Sequence, residues 1–218
     1  MKRINWPDHL VNLIVVILGI SIAFYMEGWR SDQKSKQLEA QYLDNLIEDL
    51  RHDNEYIDTL ISIDHEKLKS LQIVSGATIG RPYNEDSLLN HVFAIQYSPP
   101  FRTQKATYES LKTSGNIDVI NEFALRNRII ELYEQYYSAA QEFDEAVTDH
   151  NKRFIQPYFI KNMEFVSRNK INPDFLNDKE LRNMLFAYQN ILTLRLDFYE
   201  VLQTELEILI TEVKKQVK

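Results

Sequence analysis

The longest run of apolar residues lies near the N-terminus. From Leu10 to Met26 the chain reads LVNLIVVILGISIAFYM, 17 residues without a charge, which is close to the shortest stretch that crosses a bilayer as a helix. Trp6 precedes this run, and Tyr25 and Trp29 stand at its other end, where aromatic rings favour the two headgroup regions. The pattern predicts a transmembrane helix that anchors the chain within residues 1–30.

A cleaved signal peptide or a buried core helix would also produce an apolar run of this length. The sequence that follows it, AFYMEGWRS, has bulky residues where a signal peptidase needs small ones, so an uncleaved anchor is favoured. Ile17 lies near the centre of the predicted span, and Gly19 and Ala23 lie on one helix face. A small-residue pair of this kind lets a second helix approach closely, which makes self-association in the membrane a hypothesis.

Beyond Trp29 the pattern changes to that of a charged, amphipathic helix. No Gly or Pro occurs before Gly76, so the anchor helix is expected to continue out of the membrane. Apolar residues recur at alternating steps of three and four, a spacing typical of a bundle or coiled-coil seam. Asn54 and Asp64 fall in the same series and either set its register or mark a seam open to water. The apolar members are Leu43, Ile47, Leu50, Ile57, Ile61, Leu68 and Leu71.

A second, short helix is predicted after the turn at Gly80-Arg81-Pro82. Asp86 or Ser87 is expected to cap its start, because short polar side chains accept hydrogen bonds from the first free amides of a helix. The helix is expected to run through Gln96. It cannot extend past Ser98-Pro99-Pro100, because a residue before proline avoids helical geometry.

A third short helix is predicted in the stretch TQKATYESLKTSG that begins at Thr103. Tyr108 and Leu111 lie on one face of it. Gly115 stands where a left-handed C-cap is required, a position that glycine occupies without steric cost.

The longest helix of the middle region is predicted from about Asn121 to about Ile155, where Pro157 is expected to interrupt it. Its apolar and aromatic residues repeat at helical spacing, which favours core packing over the alternative of a pocket for a small molecule. These residues are Phe123, Ile130, Tyr133, Tyr137, Ala140, Phe143 and Val147.

After a turn at Asn172-Pro173-Asp174, nothing breaks the chain from Asp178 to its end. Three long helices with one or two short ones between them can bury their apolar stripes only against one another. We therefore predict an all-α fold in which the transmembrane helix continues into an elongated antiparallel bundle, with residues 31–218 as the soluble domain. The stripe of the last helix is Leu181, Leu185, Tyr188, Leu192, Tyr199, Leu202, Leu206, Leu209 and Val213.

Composition narrows the classes of function. The net charge is −7, with 32 acidic against 25 basic residues, and a surface of this sign repels phosphate backbones, so no nucleic-acid partner is expected. The chain has no cysteine, which excludes disulfides, thiolate metal sites and cysteine nucleophiles.

Several of these segments resemble a family of uncharacterised bacterial single-pass membrane proteins, described only as a domain of unknown function. The resemblance spans about Leu10 to Tyr137 and rests on four motifs taken together. Tyr108, Leu111 and Gly115 lie in the third of these motifs. The resemblance implies an N-terminal anchor and a helical body, but no activity, ligand or functional residue. The motifs are VILGISIAFYMEGW, LEAQYLDNLIEDLRHD, TYESLKTSGNIDVI and LRNRIIELYEQYY.

A carboxylate-bridged metal site is the catalytic possibility that a helical bundle suggests. Its nearest match is Asp49-x-x-His52, with Glu142, Glu145, Asp149 and His150 on another helix. A second Glu-x-x-His pair is missing, and no HExxH motif, phosphate loop or GxSxG elbow occurs. We therefore expect no catalytic residue, no cofactor and no metal.

The leading hypothesis is thus a non-enzymatic, membrane-anchored helical module that binds the lipid bilayer and a protein partner or a second copy of itself. The alternatives are a small-molecule-sensing bundle and a metalloenzyme. We place the anchor in a bacterial inner membrane. Lys2 and Arg3 precede the span while Arg30, Lys34 and Lys36 follow it, so charge does not decide the orientation, and a signal-anchor arrangement with the domain outside the cytoplasm is preferred.

Overall fold

A single helix, α1, runs from Trp6 to Ala77 without a break over 72 residues. Its length follows from the sequence, because no Gly or Pro interrupts residues 30–75 and the residues between are strong helix formers. The predicted continuation of the apolar N-terminal helix into the body is confirmed. The computed structural model describes residues 6–166, 169–170, 172 and 174–217, so Lys2, Arg3 and Pro173 lie outside the described residues.

The buried seam of α1 agrees with the predicted one at six of its nine positions, which include Ile47 and Asp64. The other three, Asn54, Ile61 and Leu68, are only half-buried, and in each case the residue one position earlier is buried instead. At Asp53 and Lys67 the prediction was wrong because it chose an uncharged neighbour. The buried residues of α1 are Leu43, Leu46, Ile47, Leu50, Asp53, Ile57, Leu60, Asp64, Lys67, Ser70, Leu71, Val74, Gly76 and Ala77.

Two short helices follow, α2 from Glu85 to Gln96 and α3 from Ala106 to Thr113. The predicted end of α2 is correct, but its cap is Asn84, whose side chain accepts hydrogen bonds from the amides of Asp86 and Ser87. The predicted cap was therefore two or three residues late. A 3-10 turn at Ile117–Val119 leads to the next helix.

The middle region is one helical run that reaches Asn162. It consists of α4 (Phe123–Glu131), α5 (Tyr137–His150) and α6 (Gln156–Asn162), joined by π-helical turns at Leu132–Tyr136 and Asn151–Ile155. The predicted interruption at Pro157 was wrong. Pro157 falls in the first turn of α6, directly after the π turn Asn151–Ile155, where the hydrogen-bond pattern of the run changes and the missing N–H of proline is tolerated.

A hairpin of two two-residue strands, β1 (Met163–Glu164) and β2 (Asn169–Lys170), follows α6. The sequence had shown no strand pattern, and strands this short have none to show. A 3-10 turn at Phe175–Asn177 leads to α7, Lys179–Gln216. All nine residues predicted for its apolar stripe are buried.

The three long elements pack side by side, with α7 antiparallel to both α1 and the α4–α6 run. The end of α1 meets the start of α7, where Arg182 donates to the carbonyl of Thr78, the residue after α1. Arg128 on α4 pairs with Glu205 in the later part of α7. At 1.5 Å per residue, residues 39–77 of α1 make the body about 57 Å long. The fold is all-α, an elongated helical bundle, as predicted.

Gly115 has a φ of +71° and ends α3 with the hydrogen bonds of a left-handed cap. Because no atom lies within 4 Å of an added Cβ, Gly115→Ala is expected to lose about 1 kcal/mol of unfolding free energy through backbone strain alone. Chemical denaturation followed by circular dichroism measures the loss. Gly115→Asn is the matched control and should lose less, since asparagine tolerates this conformation; equal losses in both would show that backbone strain is not the cause.

Candidate functional site

The apolar face of the N-terminal part of α1 is not covered by the bundle. The large apolar side chains described between residues 10 and 26 are about half exposed or more, with Leu10 at 60% and Ile17 at 53%. Trp29 is exposed to 62%, whereas the side chain of Trp6 lies outside the described residues. Within the described ranges this is the one helix long and apolar enough to cross a membrane. By length and composition it is suited to be a membrane anchor or a signal sequence.

Gly19 and Ala23 lie on the uncovered part of α1. Both residues are exposed, and no atom approaches within 4 Å of the position that a Cβ on Gly19 would take. The structure therefore leaves their face open. Whether a second helix occupies it stays a prediction.

A polar stretch of α1, residues 27–37, separates the apolar part from the body. It is exposed apart from partly covered Ser35 and spans about 16 Å at 1.5 Å per residue. Arg30, Lys34 and Lys36 are exposed there and form no ion pair within the described part of the chain. A polar helix without packing partners is held by the helix on either side of it, so an exposed polar spacer joins the apolar part of α1 to the body.

The motif around Tyr108, Leu111 and Gly115 docks α3 onto the body. Leu111 is fully buried, and the ring of Tyr108 stacks on that of Tyr133 at 4.3 Å between centroids. The hydroxyl of Tyr108 donates to Glu134 at 2.7 Å. These residues are therefore packing residues, and their role in this fold is to position α3.

Carboxylates of α1 accept hydrogen bonds from the backbone of the segments that flank α3. Asp49 accepts from the amide of Thr107 at 3.3 Å and Asp53 from that of Gln104 at 2.8 Å, while Glu39 accepts from the amide of Asn121 at 2.8 Å. These bonds satisfy amides that no helix or sheet would satisfy. The acidic face of α1 thus fixes the path of an extended connection.

Asp53 is the most deeply buried of these carboxylates, with no exposed surface. Burial raises its pKa to about 6, although hydrogen bonds from the Tyr137 hydroxyl at 2.5 Å and the Gln104 amide favour the charged form. The folded chain therefore binds a proton here more readily than the unfolded chain, whose pKa is 3.8. Consequently, the contribution of Asp53 to stability falls as pH rises between these two values.

A second buried network joins all three long helices. The guanidinium of Arg195 on α7 binds both carboxylate oxygens of Asp64 on α1, at 2.9 and 2.5 Å, and one oxygen of Asp144 on α5 at 3.0 Å. Asp144 also accepts from the Tyr199 hydroxyl and from the amide of Phe101. A bidentate pair of this kind is both strong and directional, so the network sets how the three helices align.

Lys67 lies beside this network with 1% of its surface exposed. Its Nζ is 3.9 Å from an oxygen of Asp64 and has no hydrogen-bond partner among the described residues. Burial and the nearby charge of Arg195 lower the pKa of Lys67 to about 7, against the partial compensation of Asp64 and Asp144. An ammonium group without hydrogen bonds in a core is a source of instability.

The residues that the sequence offers for a metal site are not brought together. Asp49 is committed to the Thr107 amide, His52 is mostly exposed, and the imidazole of His150 lies 2.9 Å from the carbonyl of Met184. Within the described ranges, no group of three or more His, Asp or Glu side chains is placed to hold a metal ion.

The aromatic residues that the sequence offers for a ligand pocket are mostly packed in the core. Tyr133 and Tyr137 are buried and contact one another edge-on at 5.0 Å between centroids, and Phe101 covers Tyr137. Phe123 is the exception, exposed to 66% at the start of α4. The nearest concave surface is an open groove over Phe101 and Asp144.

A comparison with protein-family models gives a match over most of the chain. Residues 12–154 match the Family of unknown function (DUF6090), a range that covers well over half of the chain. The chain belongs to the DUF6090 family. Neither the comparison with curated proteins nor that with solved structures gives a match.

The DUF6090 match includes most of the apolar stretch, α2, α3, α4 and α5 but stops before α7. The matched range therefore contains Asp53, Asp64, Lys67 and Asp144, whereas Arg195, which neutralises two of them, lies beyond it. The predicted resemblance to an uncharacterised family is confirmed over this range.

Sequence reasoning missed most of the buried charges in this DUF6090 chain. The signal that could have found them is a charged residue at a core-facing position. Asp144 stands between Ala140 and Val147 in this way, and Arg195 stands between Leu192 and Tyr199.

Proposed function

We propose that this chain is a membrane-tethered, non-enzymatic helical module that presents its bundle to a protein partner or to a second copy of itself. The observation that carries the proposal is the uncovered apolar helix from Leu10 to Met26, which continues without a break into the body. Burying that many aliphatic and aromatic side chains in lipid is strongly favourable, at about 25 cal/mol for each Å² of apolar surface. The bundle is then a rigid body at a fixed distance from a bilayer.

A scaffold or interaction role is supported by what the core residues do. The buried polar side chains of the network hold helices together and accept hydrogen bonds from backbone amides. The buried carboxylates Asp53, Asp64 and Asp144 are thus used for structure. An elongated, rigid bundle offers long outer faces for a partner.

The proposal includes a location, a bacterial inner membrane with the bundle outside the cytoplasm. It rests on the signal-anchor arrangement, in which the positive residues Lys2 and Arg3 stay on the cytoplasmic side. Protease added to intact spheroplasts should then digest the bundle. Complete protection of the bundle would reverse the orientation.

The full chain is expected to remain with membranes after extraction at alkaline pH, because hydrophobic burial of the anchor is insensitive to charge. A variant that lacks residues 1–30 is expected to appear in the soluble fraction with the same helical circular dichroism per residue of the body. Fractionation and immunoblotting measure both outcomes.

The matched control keeps the helix and changes only its polarity. Ile17→Asp with Ile20→Asp should weaken membrane retention, since each buried carboxylate costs about 2.5–3.5 kcal/mol at the centre of a span, while Asp32→Ala in the spacer should not. If the full chain were soluble without detergent, the membrane part of the proposal would fail. If the chain were recovered from solubilised membranes alone and monomeric, the interaction part would fail.

A further inference from the structure

The end of the bundle farthest from the apolar part of α1 contains a cleft with two arginines that form no ion pair with any described residue. It lies between the end of α1 and the first turns of α7 and encloses about 290 Å³. The two arginines that line it are Arg81 and Arg182. The apolar part of its wall is Ile79 and Phe186, exposed to 56% and 65%.

Two buried polar atoms in this cleft lack hydrogen-bond partners among the described residues. They are the hydroxyl oxygen of Ser75 and the Nε of Arg182. Buried polar atoms in native proteins nearly always have a partner, and an exception points to a cause such as an absent ligand or water. The other end of the Arg182 guanidinium donates to the carbonyl of Thr78 at 2.6 Å, so the group is held in place beside the cleft.

The position of Arg81 is built into the backbone. Gly76 lies in the last turn of α1, and a Cβ there would come within 3.3 Å of the Cδ of Arg81. Glycine costs about 1 kcal/mol relative to alanine inside a helix. At this position it leaves room for the side chain of Arg81 to lie against the end of α1, where it lines the cleft together with Arg182.

We propose that this cleft binds an organic carboxylate whose apolar group rests on Phe186 and Ile79. Two guanidinium groups offer planar, paired donors that match a carboxylate, and the size of the cleft is at the lower end of small-molecule sites. The carboxylate comes either from a free small acid or from the C-terminus of a partner polypeptide. This inference does not depend on the anchoring proposed above.

The test uses the full-length chain in detergent micelles and 4-fluorophenylacetate as the probe, followed by ¹⁹F NMR at low salt. Saturable binding with a Kd below about 1 mM is expected. Arg81→Gln and Arg182→Gln should each weaken binding at least tenfold. The matched control, Arg153→Gln, removes an exposed arginine that pairs with Asp149 elsewhere and should leave binding unchanged.

Two further variants distinguish a loss of binding from a loss of folding. Arg182→Lys keeps the charge and a donor for the Thr78 carbonyl but lacks the paired donors, so it should fold normally and still bind more weakly. Phe186→Ala should weaken binding several-fold without changing the melting temperature. The proposal fails if 4-fluorophenylacetamide binds as well as the acid, if inorganic phosphate displaces the probe at equal concentration, or if Arg81→Gln binds unchanged.

A competition experiment assigns the source of the carboxylate. A short peptide that ends in phenylalanine is added with its C-terminus either free or amidated. Displacement of the probe by the free-acid peptide alone supports a partner polypeptide. No displacement by either peptide, with probe binding intact, supports a free small acid.

Discussion

Arg195→Met is expected to lower the free energy of unfolding by about 3–5 kcal/mol at neutral pH, because it leaves two carboxylates in the core without their cation. Asp64 and Asp144 are both nearly inaccessible, and the guanidinium bridges them. Denaturant titration of the purified chain, followed by circular dichroism at 222 nm, measures the change. Arg153→Met is the matched control, since its partner Asp149 is exposed, and it should change stability by less than about 1 kcal/mol.

The pH dependence of the Arg195→Met variant tests the cause. Burial already raises the pKa of Asp144 in the native chain, and without the cation this carboxyl would bind a proton still more readily in the folded state than in the unfolded state. The deficit should therefore shrink as pH falls towards 4. Asp64→Leu combined with Arg195→Met should be more stable than Arg195→Met alone, because one uncompensated charge is removed. A deficit that stays constant with pH would contradict this account.

The apolar stripes of the fold followed directly from spacing, and α7 shows why. Its apolar residues recur with helical periodicity and no breaker interrupts it, so all nine predicted core positions are buried. On α1 the same reasoning located six of nine seam positions. Asp53 and Lys67 were passed over in favour of the neighbouring Asn54 and Leu68, because single-sequence patterns treat a charge as a sign of solvent.

The buried network could not be predicted, because its pairs are distant in sequence. Asp64 and Arg195 are separated by 131 positions, and no local pattern indicates which of 25 basic residues meets a given acid. The two π turns could not be predicted either. They depend on how the buried face of the helical run, from Leu125 to Phe159, stays turned towards the core over its whole length. By contrast, the apolar helix was evident from composition, because a helix suited to a membrane is defined by its own residues and not by its contacts.

Lys67→Met is expected to stabilise the chain, by about 2–4 kcal/mol below pH 7. The ammonium of Lys67 is buried without a hydrogen bond to any described residue, and Met has a similar length without the charge. Because the folded-state pKa is about 7 and the reference value is 10.5, the unfolded chain binds the proton more tightly. The cost is therefore fully present below pH 7 and is relieved as pH rises towards 10.5.

The gain from Lys67→Met should accordingly be largest near pH 6 and smallest near pH 10, which denaturant titrations at pH 6, 8 and 10 would show. Asp53 has a pKa of about 6, so its protonation does not affect the comparison between pH 8 and pH 10. Lys69→Met is the matched control, an exposed lysine paired with Glu66, and should change little at any pH. If Lys67 instead serves mainly to neutralise Asp64 and Asp144, the Lys67→Met variant would lose stability. Lys67 would then be a fourth member of the charge network formed by Arg195, Asp64 and Asp144.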